Sequence, residues 1–200
     1  MRKIIVTIAT LALIGSFSAA YAMSVGAGGG LRIGMPLGDL ADSFKLNFTN
    51  FGGGVVIGVM PMLSIEGGFD YHLGYKNKAV SEGGITIEEG AYKLQMINFG
   101  GGARINFIKE GKFRPYAGGG LGFYLIKYKV VTEGTIVPED VNSLGINFGG
   151  GINLFLNDKL AVNIPVKFNY ILKTEKVAEG ETASKGMLLT FGGGIEYFFM

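Results

Sequence analysis

Six runs of three consecutive glycines punctuate this chain: Gly28–Gly30, Gly52–Gly54, Gly100–Gly102, Gly118–Gly120, Gly149–Gly151 and Gly192–Gly194. Four of them follow a phenylalanine, at Phe51, Phe99, Phe148 and Phe191. Around the runs, apolar residues alternate with Asn, Gly or Arg, as in Ile97-Asn98-Phe99-Gly100-Gly101-Gly102-Ala103-Arg104-Ile105-Asn106-Phe107 and in Ile146-Asn147-Phe148-Gly149-Gly150-Gly151-Ile152-Asn153-Leu154-Phe155. Period-two alternation is the mark of strands with one apolar face. Glycine weakens a strand and marks a bend or a close approach of backbones, so six such runs in one sheet require a shared cause. A belt of glycines inside a closed barrel supplies one.

Composition narrows the cellular setting. Arg2 and Lys3, the mostly apolar stretch Ile4 to Phe17 and the small residues of Ala20-Tyr21-Ala22 have the layout of a cleavable signal peptide. Residues 1–22 are therefore expected to be removed, leaving 23–200 as one domain; cleavage after Ala20, with Ser18 in the other small position, is the alternative. An uncleaved anchor is disfavoured because the apolar run is shorter than the ~20 residues of a spanning helix. Losing Arg2 and Lys3 from 18 basic residues brings them level with the 16 acidic ones, so the mature charge is near zero. With neither a basic patch nor a recognition motif, nucleic acid is not an expected partner. The chain has no cysteine, which excludes disulfide staples and thiolate metal sites in an exported protein. No second long apolar run follows the leader, so any residence in a membrane must be as strands.

Turn signals divide the remainder into eight strands. The first spans Ser24 to Met35, the second about Leu46 to Val59, and the third starts at Leu63, where Leu63, Ile65, Phe69, Tyr71 and Leu73 alternate with Ser64, Glu66, Gly68, Asp70 and His72. The fourth descends to Ile108, with Tyr92, Leu94 and Met96 out of phase with Ile97, Phe99 and Ile105, which predicts a bulge near Met96. The fifth runs from Phe113 to about Val130 and the sixth ends at Leu156. The seventh starts at Leu160 and the eighth runs from Met187 to the end. Connections alternate long and short throughout, giving three tight turns on one rim and polar loops on the other. That asymmetry predicts an all-β fold, an eight-stranded antiparallel up-and-down transmembrane β-barrel with its tight turns in the periplasm. Phe107, Phe113, Tyr197 and Phe199 below and Tyr71, Tyr75 and Tyr170 above suit interfacial girdles. A soluble ligand-carrying barrel would invert the pattern, placing apolar residues inside.

Two stretches resemble a known family. Arg114-Pro115-Tyr116-Ala117-Gly118-Gly119-Gly120-Leu121-Gly122-Phe123 is similar to the Pro-Tyr-x-Gly-x-Gly-x-Gly strand of small OmpA-like outer-membrane barrel proteins. Gly194-Ile195-Glu196-Tyr197-Phe198-Phe199 is similar to the C-terminal strand signal read by the barrel-assembly machinery. The resemblance implies outer-membrane localisation, outer-membrane lipid and the assembly machinery as partners, and an assembly signal at Gly194, Tyr197 and Phe199. The family usually ends on an aromatic residue, whereas here Met200 follows Phe199. No trailing peptidoglycan-binding domain is expected, so cell-wall anchoring is not carried over.

Alternation turns Gly28, Gly30, Gly52, Gly54, Gly68, Gly100, Gly102, Gly118, Gly120, Gly149, Gly151, Gly192 and Gly194 inward as the belt. The lumen would then be a waist of close backbones, a water pocket, or room for long side chains reaching in. The inward charges favour the last: Arg32, Glu66, Asp70, Arg104, Arg114, Lys167 and Glu196 form a candidate network. A gate with exchangeable ion pairs is the functional reading, and a polar plug is favoured over it because charge buried in a narrow barrel must be paired in any case. His72, the only histidine, forms an Asp-x-His pair with Asp70. A hydrolase would need a nucleophile beside it, and Ser64, the nearest inward serine on that strand, is far down the strand, so no catalytic residue is expected. No metal or cofactor is expected either, and the glycine runs lack the Lys-Ser/Thr of a phosphate-binding loop. The function that follows is a monomeric outer-membrane barrel with a structural or interaction role and a plugged lumen. The alternatives are binding or passage of a small apolar compound in a cavity lined by Tyr116, Tyr124 and Val56, or a lipid-modifying hydrolase using His72. The surface loops, including Glu133–Asp140 and Glu179–Ser184, identify no partner.

Overall fold

A computed structural model describes residues 24–82, 85–133, 139–174 and 185–199. The leader expected over residues 1–22 lies outside the described residues, as do Glu179–Ser184 and most of the 133–140 loop. In chain order the strands are β1 (Val25–Leu37), β2 (Asn47–Gly58), β3 (Leu63–Lys76), the short β4 (Val80–Glu82) and β5 (Ile85–Ile87), then β6 (Tyr92–Asn106), β7 (Phe113–Val130), β8 (Val141–Phe155), β9 (Leu160–Ile171) and β10 (Gly186–Phe199). The eight long ones close into a barrel. Each pairs antiparallel with the next long strand, and β10 closes on β1 in one unbroken register from Val25 opposite Phe199 to Leu37 opposite Met187. Closure leaves no edge strand, the condition for placing a sheet in lipid. No helix among the described residues is long and apolar enough to cross a membrane.

The rims differ as the turn chemistry requires. β2–β3, β6–β7 and β8–β9 are joined by tight turns, with Gly111 at φ 100° in the second. The opposite rim carries a short helix, α1 (Asp39–Ser43), between β1 and β2, and the small β4–β5 hairpin between β3 and β6. Along the middle of the strands the outward side chains are mostly apolar and bare, Leu31 at 73% and Leu121 at 68% exposure among them. In water such a surface would aggregate; in a bilayer it is the solvated face.

The irregularity expected near Met96 lies directly opposite it, on the neighbouring strand. β6 runs in register with β7 from Tyr92 to Asn106, and the shift falls on β3 between His72 and Tyr75, where Gly74 has φ 145°. Leu94 and Met96 are buried inside the barrel, in phase with Asn98 and Arg104. The strand does not change phase; the lumen changes from polar to apolar as it rises. The extra residue on β3 at Gly74 reverses that strand's alternation, so Tyr75, expected in the upper girdle, is 1% exposed and points inward.

Candidate functional site: the barrel lumen

The glycine belt narrows the interior. A Cβ built on Gly28, Gly54, Gly151 or Gly194 would lie 2.5 Å from a backbone oxygen of the neighbouring strand, that of Ile195, Gly67, Ile164 or Gly29. The inner surface of a sharply bent wall is concave, so inward Cβ positions converge on the next backbone. Gly30, Gly68, Gly102, Gly120, Gly149 and Gly192 are similarly pressed against facing backbone, Gly118 meets Ala103 O at 2.7 Å, and Gly52 meets Asp70 and Phe69. Gly100 is the roomiest of the set, with Leu121 O at 3.3 Å. Close backbones and long side chains reaching across thus occur together: bare walls let opposite charges meet over the axis.

Two ion pairs cross at different heights. Lys167 Nζ donates to Asp70 Oδ2 at 2.9 Å, and Arg104 donates to Glu196 through both terminal nitrogens, at 3.2 and 3.4 Å. β3 and β9 stand four places apart in the ring of eight strands, as do β6 and β10; each pair therefore spans the full width of the barrel. Arg32 Nε lies 3.1 Å from Asp70 Oδ1, within ion-pair distance but off axis for a hydrogen bond. Asp70 thereby balances two cations. The lower pair is braced on both sides: Arg104 stacks over the Tyr116 ring at 4.6 Å, and Asn153 Nδ2 donates to Glu196 Oε2 at 3.0 Å. Asn163 Nδ2 in turn donates to the Tyr116 hydroxyl at 2.9 Å and to Asn153 Oδ1 at 2.5 Å.

Two of the seven charges named from the sequence stand apart. Arg114 donates from Nε to Gly111 O at 3.0 Å and lies 3.9 Å over the Phe155 ring at the lower mouth, outside the network. Glu66 makes no ion pair or hydrogen bond among the described residues and lines a chamber of about 130 Å³ between the two crossing pairs. Arg104 lines this chamber and also a lower vestibule of about 300 Å³ opening among Ser24, Ser64, Asn106 and Arg114. It is the partition between them.

Above the upper pair the lumen is capped by apolar packing that pattern reading did not find. Leu40 of α1 and Phe44 pack with Tyr75, Leu94, Met96, Tyr124, Ile126, Val141, Ile171 and Leu188. Glycines outside the triple runs make space for the large rings. A Cβ on Gly34 would strike the Tyr75 hydroxyl, and one on Gly122 or Gly145 would come within 2.8 or 2.7 Å of the Tyr124 ring. Tyr124 donates to Asn169 Oδ1 at 3.2 Å within this cap, so it does not line the chamber with Tyr116 and Val56. His72 is buried beneath the cap, its Nδ1 2.8 Å from the Tyr75 hydroxyl. Ser64 accepts from Asn106 Nδ2 at 3.3 Å and lines the vestibule at the other end. The inward asparagines Asn98, Asn147, Asn153, Asn163 and Asn169 were also missed as a set. Their phase shared with the glycines and charges was the available signal.

A closed, charge-lined barrel with an apolar outer wall fits what comparison finds. The model of the outer membrane protein beta-barrel domain matches residues 9–192. The chain belongs to this outer-membrane β-barrel family. The family places it in the cell outer membrane, with membrane lipid around its wall. Solved barrels agree in fold. OprG from Pseudomonas aeruginosa superposes with a TM-score of 0.62 at 13% identity, covering 88% of this chain and 95% of its own. A major outer membrane protein from Thermus thermophilus superposes at 0.56 with 15% identity, covering 90% and 100%. Neisserial surface protein A does so at 0.55 with 16% identity, covering 90% and 98%. No curated protein sequence matches the chain. At the C-terminal strand, Tyr197 and Phe199 are outward and half-exposed with rings 5.2 Å apart, and Gly194 faces inward against Gly29.

Proposed function

We propose that this protein is a monomeric outer-membrane barrel with a structural or interaction role, its lumen plugged and without catalytic duty. The observation that carries the reading is the pair of salt bridges between opposite strands, Lys167–Asp70 and Arg104–Glu196, beneath an apolar cap. A solute crossing the barrel would have to break charge pairs in a poorly hydrated interior, where leaving one partner unpaired costs several kcal/mol, on the order of 3–5. Burial of His72 against Tyr75, with Ser64 engaged at the other end, supports a packing role for the histidine. Closure without an edge strand supports the monomer. Gly194, Tyr197 and Phe199 act during biogenesis as the signal for the barrel-assembly machinery, after removal of a leader ending at Ala22 or Ala20.

Planar-bilayer recording tests the plug. The purified barrel should show no stable conductance, whereas Arg104→Ala combined with Asp70→Ala should open brief steps. Steady conductance by the unaltered protein would overturn the reading. The apolar-ligand alternative rests on Tyr116 and Val56, which share the chamber with Glu66, Asp70 and Arg104; saturable binding of a lipophilic dye would favour it instead.

A further inference from the structure

The outer wall carries a charge cluster that the lumen does not explain. Lys76 on β3 stands directly opposite Lys93 on β6, and Lys93 directly opposite Lys129 on β7. Lys127 follows two residues down β7, opposite Gln95. All four point away from the lumen, because the alternate residues Tyr75, Leu94, Met96 and Ile126 are buried inside. None of the four forms an ion pair among the described residues. Glu89, in the loop beside Lys76, is engaged by Lys45 at 2.6 Å. Asp140 Oδ1 accepts from Tyr128 N at 3.0 Å, between Lys127 and Lys129, but one carboxylate does not balance four cations. Like charges directly opposite one another destabilise a sheet, so a further anion lying over the ladder is favoured.

Its height says which anion. Below the lysines the outward residues turn apolar: Leu73, Tyr71 and Phe69 on β3, Ile97 and Phe99 on β6, Leu125 and Phe123 on β7. From Ile97 to Phe107 the apolar band is about 11 residues long, which at a tilt of ~45° spans about 25 Å of hydrocarbon. The lysines begin where that band ends, on the long-loop rim, at the level of lipid headgroups. The ladder is also one-sided: the outward ends of β8, β10 and β1 carry Asn142, Met187 and Leu37, with Lys185 alone beyond β10. Clustered lysines beside a bilayer draw anionic headgroups, and two adjoining like-charged pairs suit a headgroup with more than one phosphate.

We propose that Lys76, Lys93, Lys127 and Lys129 form a docking ladder for the phosphates of an outer-leaflet glycolipid, whose acyl chains lie along Phe69, Phe99 and Phe123 below. The proposal does not depend on the plugged lumen.

Native mass spectrometry of the folded barrel in detergent tests it, with diphosphoryl lipid A, monophosphoryl lipid A and inorganic phosphate as probes. The unaltered barrel should retain the diphosphoryl lipid, hold the monophosphoryl form about tenfold more weakly, and retain no inorganic phosphate. Loading should fall at least about tenfold between ~50 and ~500 mM salt as the charges are screened. K93Q/K129Q should lose about tenfold or more in diphosphoryl loading, while K159Q on a tight turn of the other rim should match the unaltered barrel. Undiminished loading of K93Q/K129Q overturns the proposal, as does an equal loss in K159Q, which would indicate attraction without a site. Retention of inorganic phosphate, lost in K93Q/K129Q, would assign a free-anion site and overturn the lipid. Heat-modifiable gel migration reports folding of each variant; should K93Q/K129Q fail to fold, K76Q/K127Q must show the loss, and salt-independent loading of the unaltered barrel would by itself overturn the proposal.

Discussion

Gly193 and Gly194 are chain neighbours on β10, and the barrel geometry predicts opposite outcomes for the same substitution at each. Gly194 faces the lumen, where an added methyl would lie 2.5 Å from Gly29 O and 3.0 Å from the Gly29 carbonyl carbon and Gly30 Cα. Ordinary contact begins at 3.4 Å, so β1 and β10 must separate by several tenths of an ångström at their seam, and the atoms in the way are backbone. Forcing a methyl into a packed site of this kind costs about 1–3 kcal/mol. Gly193 faces outward with nothing within 4 Å of the added carbon, and it is not among the glycines with positive φ. Alanine there loses less chain entropy on folding and should stabilise by about 0.4–1 kcal/mol. G194A and G193A should therefore differ by roughly 1.5–4 kcal/mol, with the unaltered protein between them. Urea titration in lipid vesicles, read by the heat-modifiable gel shift, measures both. Equal midpoints would refute the idea that the belt exists because inward Cβ atoms have no room.

Other substitutions probe the remaining layers. Asp70→Leu leaves Arg32 and Lys167 facing each other and should destabilise by about 3 kcal/mol, while the double variant D70L/K167M should recover at least ~1 kcal/mol of it; a strictly additive double-mutant cycle would deny the pairing across the axis. Leu40→Asp places a charge in the apolar cap and should cost about 2–4 kcal/mol and increase amide exchange in β1 and β10 near the long-loop rim; protection unchanged there would mean that α1 does not seal the mouth. Asn163→Leu removes donors to both the Tyr116 hydroxyl and Asn153, and should cost about 1–3 kcal/mol in the same vesicle titration, with no loss pointing to a dispensable brace.

Much of the barrel was legible because a strand's side chains alternate and a closed sheet has only two sides. Once Arg32, Asp70, Arg104 and Glu196 share a phase with glycine, and Leu31, Phe69, Ile105 and Ile195 share the other, the inner and outer faces follow without coordinates. Alternating long and short connections likewise give the order of the strands and separate a rim of tight turns from a rim of longer connections. Alternation says nothing about how far a side chain reaches or what it meets. That Asp70 finds Lys167, that Arg104 finds Glu196 while Glu66 stays unpaired, and that Arg114 leaves the network for Phe155 depend on strand stagger and on positions round the ring. The cap failed a rule that treats inside as polar. Leu94, Met96, Tyr124 and Ile126 are apolar and inside, where they pack with Leu40 and Phe44, and Tyr75 joins them because the extra residue at Gly74 turns it inward. One residue at a time, sequence assigns a face. Only closure of the sheet assigns neighbours, since it brings together strands that lie far apart along the chain.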